Sequence, residues 1–163
     1  LVDMGIHAID TARFLLGDPQ PVSVFADIRT CYGAYDVDDT STVFITWDSD
    51  ATSVIEAGWW QPHADGPEAS TQVYGTDGFA NLFPTYLTKT KRVGQKTERI
   101  ESGFPPSRDP HCPQIMYDRQ LAYFVECIEQ DKIPVPGGHA GWLNMRILDA
   151  AYESSRTKQV VQL

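Results

Sequence analysis

Two carboxylates and an imidazole stand at helical spacing within the opening residues LVDMGIHAID. Each residue of an α-helix advances by about 100°, so Asp3, His7 and Asp10 fall within an arc of roughly 60° on one helical face. A carboxylate one turn from an imidazole can orient the ring and raise its basicity. Such a ring could take a proton from an alcohol near neutral pH, which makes His7 a candidate general base and Asp3 its partner.

Spacing alone leaves two other interpretations of these residues open. A solvated polar face with an incidental histidine has the same pattern, and Asp and His four residues apart could also ligate one metal ion. No third strong ligand is evident, although His63, His111 and His139 occur elsewhere in the chain. We therefore expect no metal site.

The helix that must position these side chains is predicted at the start of the chain. Gly17 and Pro19 end it, and its apolar side is predicted to consist of Met4, Ala8, Ile9, Ala12, Leu15 and Leu16. Gly5 costs a helix interior about 1 kcal/mol relative to alanine. A glycine there indicates that a ligand or another part of the backbone approaches closely.

Strand patterns follow this helix, and two further helices come near the end of the chain. Consecutive strand-like runs are joined by tight turns, at 48–50 and 75–78 for example, which favours antiparallel pairing because parallel neighbours need crossovers. The order predicts an α+β fold, an open and largely antiparallel β-sheet with helices packed on one face. No linker divides the chain, so residues 1–163 are predicted to form a single domain.

Aromatic and apolar residues on adjacent predicted strands cannot all face the helices. An apolar open sheet face is typical of an oligomer interface, so we expect a homo-oligomer formed through that face. Burial of the same side chains in the core is the alternative, since alternation assigns faces only weakly. The residues concerned are Phe44, Trp47, Val54, Trp59 and Trp60.

Composition excludes several classes of protein. The 163 residues carry a formal net charge of -9, which argues against nucleic-acid binding because phosphate neutralisation needs clustered cations. No apolar run approaches the length of a membrane span, so we expect no membrane partner. Cys31, Cys112 and Cys127 form no C-x-x-C pair, which indicates reduced thiols and a cytoplasmic location.

The opening motif and its continuation, LVDMGIHAIDTARFLLGDPQPVSVFA, resemble the start of the C-terminal domain of the glucose-fructose oxidoreductase/inositol dehydrogenase/rhizopine-catabolism (Gfo/Idh/MocA) oxidoreductase family. That family's Leu-x-Asp-x-Gly-x-His-x-x-Asp is matched here by Leu1, Asp3, Gly5, His7 and Asp10. The later segments EAGWW, VYGTDGFANL and RILDAAYESSRTKQVVQL resemble family elements in the same order, so the resemblance covers essentially the whole chain.

The resemblance implies an NAD(P)-dependent oxidoreductase of a sugar, polyol or related cyclic alcohol. It implies that His7 is the acid/base residue, that Asp3 assists it near the substrate, and that Asp10 has a structural or supporting role. Family members have two domains, and a lysine in the Rossmann half normally completes the site. Trp60 and His63 are further candidates for substrate binding because they follow a strand at its predicted open end, with a surface-loop role as the alternative.

The chain departs from the family by lacking a G-x-G-x-x-G after a strand, the dinucleotide-binding pattern. We therefore expect it to be the C-terminal half of such an enzyme, with NAD or NADP bound mainly by an absent N-terminal domain, and to be inactive alone. The alternatives are a non-catalytic sugar-binding regulatory protein and a dimerisation module of the same fold.

Overall fold

The computed structural model describes residues 1–59, 70–82, 85–89, 97–101 and 114–163. Two compact units divide the chain, the first made of Leu1–Ala64 and Val135–Leu163 and the second of Asp65–Pro134. The expectation that residues 1–163 act as one domain stays a prediction. In chain order the elements are α1 (Gly5–Leu15), β1 (Pro21–Arg29), β2 (Thr40–Trp47), β3 (Thr52–Gly58), β4 (Thr71–Gly75), β5 (Gly78–Leu82), β6 (Tyr86–Lys89), β7 (Glu98–Glu101), α2 (Gln114–Glu129), α3 (Gly138–Thr157) and β8 (Val161–Gln162).

The first unit contains a four-stranded antiparallel sheet in the order β3-β2-β1-β8. The predicted hairpin between β2 and β3 is present. The backbone N–H of Trp47 donates to the carbonyl of Ala51 at 3.0 Å, and Asp50 adopts a φ of 61° in the turn. Aspartate tolerates this left-handed conformation better than most residues, which explains how so short a turn reverses the chain.

One face of this sheet packs against α1 and α3 and forms the core of the first unit. Successive side chains of a strand point to opposite faces, so alternate residues of β1, β2 and β3 are buried here. Trp47 lies on this covered face with 1% of its surface exposed, and its indole N–H donates to Ser53 Oγ at 2.8 Å. The core includes Ile9, Ala12, Val24, Ala26, Val43, Ile45, Ile55, Ala57, Ile147, Leu148 and Ala151.

The opposite face of the sheet presents apolar side chains to solvent. Phe25 pairs with Phe44, and Phe44 pairs with Val54, so the three form one row across the strands. Their exposed fractions are 43%, 46% and 61%. Of the residues predicted to divide between the two faces, Trp47 therefore lies on the covered side and Phe44 and Val54 on the open side, while Trp60 lies outside the described residues.

The buried stripe of α1 is narrower than the sequence predicts. Gly5, Ile9 and Ala12 are buried, but Met4 and Leu15 are 47% and 39% exposed. At about 100° per residue, Met4 and Leu15 lie far round the helix from Ile9. A Cβ on Gly5 would come within 2.3 Å of Leu1 Cδ1 and 3.4 Å of Ala57 Cβ, so the glycine allows a close approach of the protein to itself.

The second unit contains another four-stranded antiparallel sheet, in the order β4-β5-β6-β7, together with α2. Its first turn joins Gly75 to Gly78, where a Cβ would lie 2.2 Å from the carbonyl oxygen of Thr88. Glycine is therefore required at position 78. The Phe79 ring packs between Tyr74 and Tyr86, with centroids 5.0 and 5.8 Å away.

The α+β class and the antiparallel pairing are confirmed. The strands form two four-stranded sheets where a single open sheet was expected, and helices cover one face of the first. None of the helices in the described ranges combines the length and apolar character needed to cross a membrane.

Candidate functional site

The predicted acid–base residues lie along the exposed side of α1 and the turn before it. Asp3 belongs to that turn, which is closed by the Gly5 N–H donating to the Leu1 carbonyl at 2.8 Å. His7 lies in the first turn of α1 and is exposed, and Asp10 is half-buried on the next turn. Across the described ranges, no hydrogen bond or ion pair joins Asp3 to His7. The imidazole of His7 is thus free to meet a ligand.

The carboxylate of Asp3 is held by a tryptophan from the sheet. Trp59 directly follows β3, and its indole Nε1–H donates to Asp3 Oδ2 at 3.1 Å. The backbone N–H of Trp59 in turn donates to the carbonyl of Asp39 at 3.2 Å. The end of β3 and the start of β2 therefore fix the residue that holds Asp3.

Asp10 points toward the other helix of the first unit. The side-chain amide of Asn144, on α3, donates to Asp10 Oδ1 at 2.7 Å. The carbonyl oxygen of the same amide accepts a hydrogen bond from Arg13 at 2.8 Å. These contacts join Asp10 and Arg13 to α3.

Arg13 is the buried centre of this helix–helix contact, with 1% of its surface exposed. Its guanidinium also donates to the backbone carbonyl of Ala140 at 2.9 Å and pairs with Asp18. Nε of Arg13 has no partner among the residues that the structure describes. The remaining contacts fasten the C-terminal half of α1 to the first turns of α3.

A buried carboxylate organises the loop between β1 and β2. Asp39 accepts the backbone N–H groups of Cys31, Tyr32 and Gly33 at 2.7, 2.8 and 3.1 Å, and the Tyr35 hydroxyl at 2.9 Å. Burial alone would raise the pKa of Asp39, but these donors stabilise the ionised form and lower the pKa well below its usual value. The loop thus closes on a fixed negative charge.

Asp38 forms a second anchored carboxylate beside it. The Tyr152 hydroxyl, on α3, donates to Asp38 Oδ1 at 2.6 Å. Burial, followed by the bond to Asp38, raises the pKa of Tyr152 to about 12, so its hydroxyl stays protonated at neutral pH.

These elements enclose a pocket of about 240 Å³ in the first unit. Asp3 and Trp59 lie on one part of its wall, and Val37 and Tyr152 contribute others. His7 lies outside the lining, one helical turn beyond Asp3. The full lining consists of Leu1, Val2, Asp3, Met4, Val37, Asp38, Asp39, Gly58, Trp59 and Tyr152.

The other residues considered as site candidates are Trp60, His63, His111 and His139. Trp60 and His63 lie outside the described residues, as does His111. His139 is exposed near the start of α3, where its ring stacks against Trp142 with centroids 5.3 Å apart. Within the described part of the chain, no three His, Cys, Asp or Glu side chains are grouped to hold a metal ion.

Sequence reasoning missed the residues that build the pocket wall. Asp38 and Asp39 end the acidic run DVDD immediately before β2, and a paired aspartate at the end of a loop is a signal that could have found them. Tyr152 carries no such signal, because it lies inside an ordinary amphipathic helix. Trp59 was noted only for its place on a strand.

The part of the chain that contains the opening motif matches the model of a known protein family. Residues 1–81 match the family model of the GFO/IDH/MocA C-terminal domain. The chain is 27% identical over 165 residues to D-xylose 1-dehydrogenase (NADP(+)) 2 of Haloferax volcanii, with all of this chain and 47% of that protein covered. It is 28% identical over 170 residues to scyllo-inositol 2-dehydrogenase (NAD(+)) of Bacillus subtilis, covering 99% of this chain and 47% of that protein. The chain spans about half the length of these relatives.

Solved structures show the same fold. An NAD binding oxidoreductase from Klebsiella pneumoniae superimposes with a TM-score of 0.78 at 21% identity, over 98% of this chain and 49% of that one. The aldose-aldose oxidoreductase from Caulobacter crescentus, complexed with glycerol, gives a TM-score of 0.74 at 22% identity, over 99% of this chain and 46% of that one. At this level of identity the likeness establishes the architecture.

Proposed function

We propose, from the premise that this chain belongs to the GFO/IDH/MocA family through its C-terminal domain, that it is the substrate-binding and catalytic half of an NAD(P)-dependent oxidoreductase. Its substrate class is a sugar, a polyol or a related cyclic alcohol. The observation that carries the proposal is the exposed ring of His7, one turn beyond a carboxylate that is fastened at a pocket by Trp59. The names of the relatives, which include xylose and inositol dehydrogenases, support the substrate class.

The cofactor belongs to another part of the proposed enzyme. Both sheets in the described ranges are antiparallel, and the sequence contains no pair of glycines separated by one residue. A dinucleotide fold needs parallel strands and a glycine-rich turn at a helix N-terminus. The residues present here therefore do not fit NAD or NADP, and the isolated chain is proposed to be inactive for that reason.

The chain's own residues handle the proton of the substrate alcohol. In the proposed reaction the O–H bond breaks and its proton passes to a ring nitrogen of His7, while the C–H bond of the hydroxyl-bearing carbon breaks with loss of hydride and a C=O bond forms. NAD(P) held elsewhere would accept that hydride. Asp3 accepts a hydrogen bond from a substrate hydroxyl and so fixes the ring near His7. His7 is exposed and Asp3 is held on one oxygen, which leaves both groups available for these roles.

A histidine exchange in the whole enzyme tests this assignment. His7→Ala removes the proton acceptor, and kcat should fall by roughly 10²–10⁴-fold without loss of stability, because the ring is exposed. Oxidation of xylose, inositols and other polyols would be followed by the absorbance of NADH or NADPH.

The matched control is His139→Ala, since His139 is also an exposed histidine in the first turn of a helix. It should leave kcat unchanged. An unchanged rate for His7→Ala would refute the catalytic assignment and favour the regulatory, sugar-binding alternative.

The open face of the first sheet supports a second proposal, self-association through that face. The apolar row Phe25, Phe44 and Val54 is about half exposed, and such a row is typical of surfaces that pair with another copy. The cytoplasm is the proposed location, in keeping with a free thiol at Cys31. A strictly monomeric whole protein in sedimentation would contradict the oligomer.

A further inference from the structure

We propose that Trp59 positions the Asp3 carboxylate and that its indole ring is the wall on which a sugar or polyol ring packs. The inference rests on the function proposed above, in which only His7 and Asp3 were assigned. It adds a residue that sets the geometry of the site and contributes to the choice of substrate.

The Trp59 residue is held at two points and yet is half exposed to solvent. Its backbone is fixed at the end of β3 by the hydrogen bond to the Asp39 carbonyl, and its indole N–H is fixed on Asp3. Nevertheless 51% of its surface is exposed. Tryptophan is highly buried on average, so a rigid and half-exposed indole at a pocket is suited to contact a ligand.

The other tryptophan of the same hairpin has different surroundings. Trp47 ends β2, is 1% exposed and gives its indole N–H to Ser53 Oγ within the hairpin. Its ring fills the core, which accounts for its presence. Trp59 contributes no comparable packing, and its N–H goes to a predicted catalytic-site carboxylate. The two rings therefore have different roles.

The Asp3 carboxylate can accept further hydrogen bonds. An ionised carboxylate offers about four lone-pair positions, and Trp59 occupies one of them on Oδ2. Within the described ranges no donor is recorded on Oδ1. A ligand hydroxyl can take that position while the apolar C–H face of its ring lies on the indole, since aromatic rings bury large apolar areas.

The size and rigidity of the pocket point to a small ligand. Its volume is about 240 Å³, below the roughly 300–1,000 Å³ of sites for drug-sized molecules. The loop that contributes Val37, Asp38 and Asp39 to the lining is closed by Asp39 and by the Thr30 hydroxyl donating to the Val37 carbonyl at 2.7 Å. A pocket of this size has room for one hydroxylated ring.

Two exchanges in the whole enzyme separate the two roles of Trp59. Trp59→Phe removes the N–H but keeps a flat ring, so kcat should fall by roughly 10–100-fold, the equivalent of one hydrogen bond to a charged group, with KM nearly unchanged. Trp59→Ala removes the ring as well and should raise KM by a further factor of roughly ten.

The control is Trp142→Phe. Trp142 is also half-exposed, at 52%, but it packs beside His139 and Arg146 on α3 and lies outside the pocket lining. It should leave kcat and KM unchanged. Urea unfolding of each variant distinguishes a fold defect from a site defect, and Trp59→Phe decides the positioning role even where Trp59→Ala does not fold.

The outcomes separate this inference from the function on which it rests. A wild-type enzyme that oxidises none of the sugars or polyols with NAD or NADP overturns the proposed function. An active wild type, together with wild-type kcat in Trp59→Phe and wild-type KM in Trp59→Ala, overturns the role of Trp59 alone. A uniform loss of kcat that follows a lowered unfolding midpoint in both variants also overturns it.

Discussion

The two ends of α1 carry similar residue types in opposite surroundings. At the N-terminal end, Asp3 and His7 are exposed, and within the described ranges one hydrogen bond, from Trp59, holds the carboxylate. At the C-terminal end, Arg13 is buried and is bonded to α3, and Asp10 is joined to the same network through an amide. One helix therefore has a lightly held end, with few hydrogen bonds, and a densely bonded end, with several.

The difference in burial between the two ends indicates which polar groups are available for chemistry. A buried polar group must find partners inside the protein, because leaving it without them costs about 1–3 kcal/mol. Arg13 meets most of that requirement through its bonds to Asn144 and Ala140, although its Nε has no partner among the described residues. Asp3 has no recorded donor on Oδ1 within the described ranges, so the lightly held end is the one proposed to bind substrate.

The largest expected effect that tests this comparison is a loss of stability at the densely bonded end. Arg13→Met removes the bonds to Asn144 and Ala140, leaves the buried side-chain oxygen of Asn144 without its Arg13 donor, and should lower the free energy of unfolding by about 3 kcal/mol. Urea unfolding of the whole protein measures it. The activity of the molecules that remain folded should be unchanged.

Arg156→Met provides the matched control for that experiment. Arg156 is an exposed arginine paired with Glu153 at 2.6 Å on α3, and exposed pairs contribute at most about 1 kcal/mol. If both arginine variants lost equal stability, the distinction between a densely bonded and a lightly held end would fail.

Local patterns in the sequence predicted the elements, because helix and strand periodicity depend on near neighbours. The helix after Asp3, the hairpin at 48–50 and the turn at 75–78 are confirmed. The predicted helix contains His7 and Asp10, whereas Asp3 lies in the turn before it. Their spacing could not tell which of the two aspartates faces a pocket and which faces α3.

Contacts between distant residues account for what the sequence did not predict. Trp59 and Asp3 are 56 residues apart, and Tyr152 and Asp38 are 114 apart. Their meeting depends on the strand order and on the placement of α3 over the sheet, which helical and strand periods do not encode. The motif therefore predicted the acid–base residues but not the wall of the pocket beside them.

The smallest expected effect compares Asp10 on α1 with Asp3 in the turn before it. Asp10→Asn weakens one charge-assisted bond from Asn144 and should lower the free energy of unfolding by about 1 kcal/mol, with kcat unchanged. Asp3→Asn should show the reverse, a lower kcat/KM with unchanged stability, because Asp3 is exposed and its bond to Trp59 can persist with an amide oxygen. Paired urea titrations and steady-state kinetics on the whole enzyme measure both. Loss of activity in Asp10→Asn at unchanged stability would place Asp10, too, in the reacting site and remove the difference between the two ends of the helix.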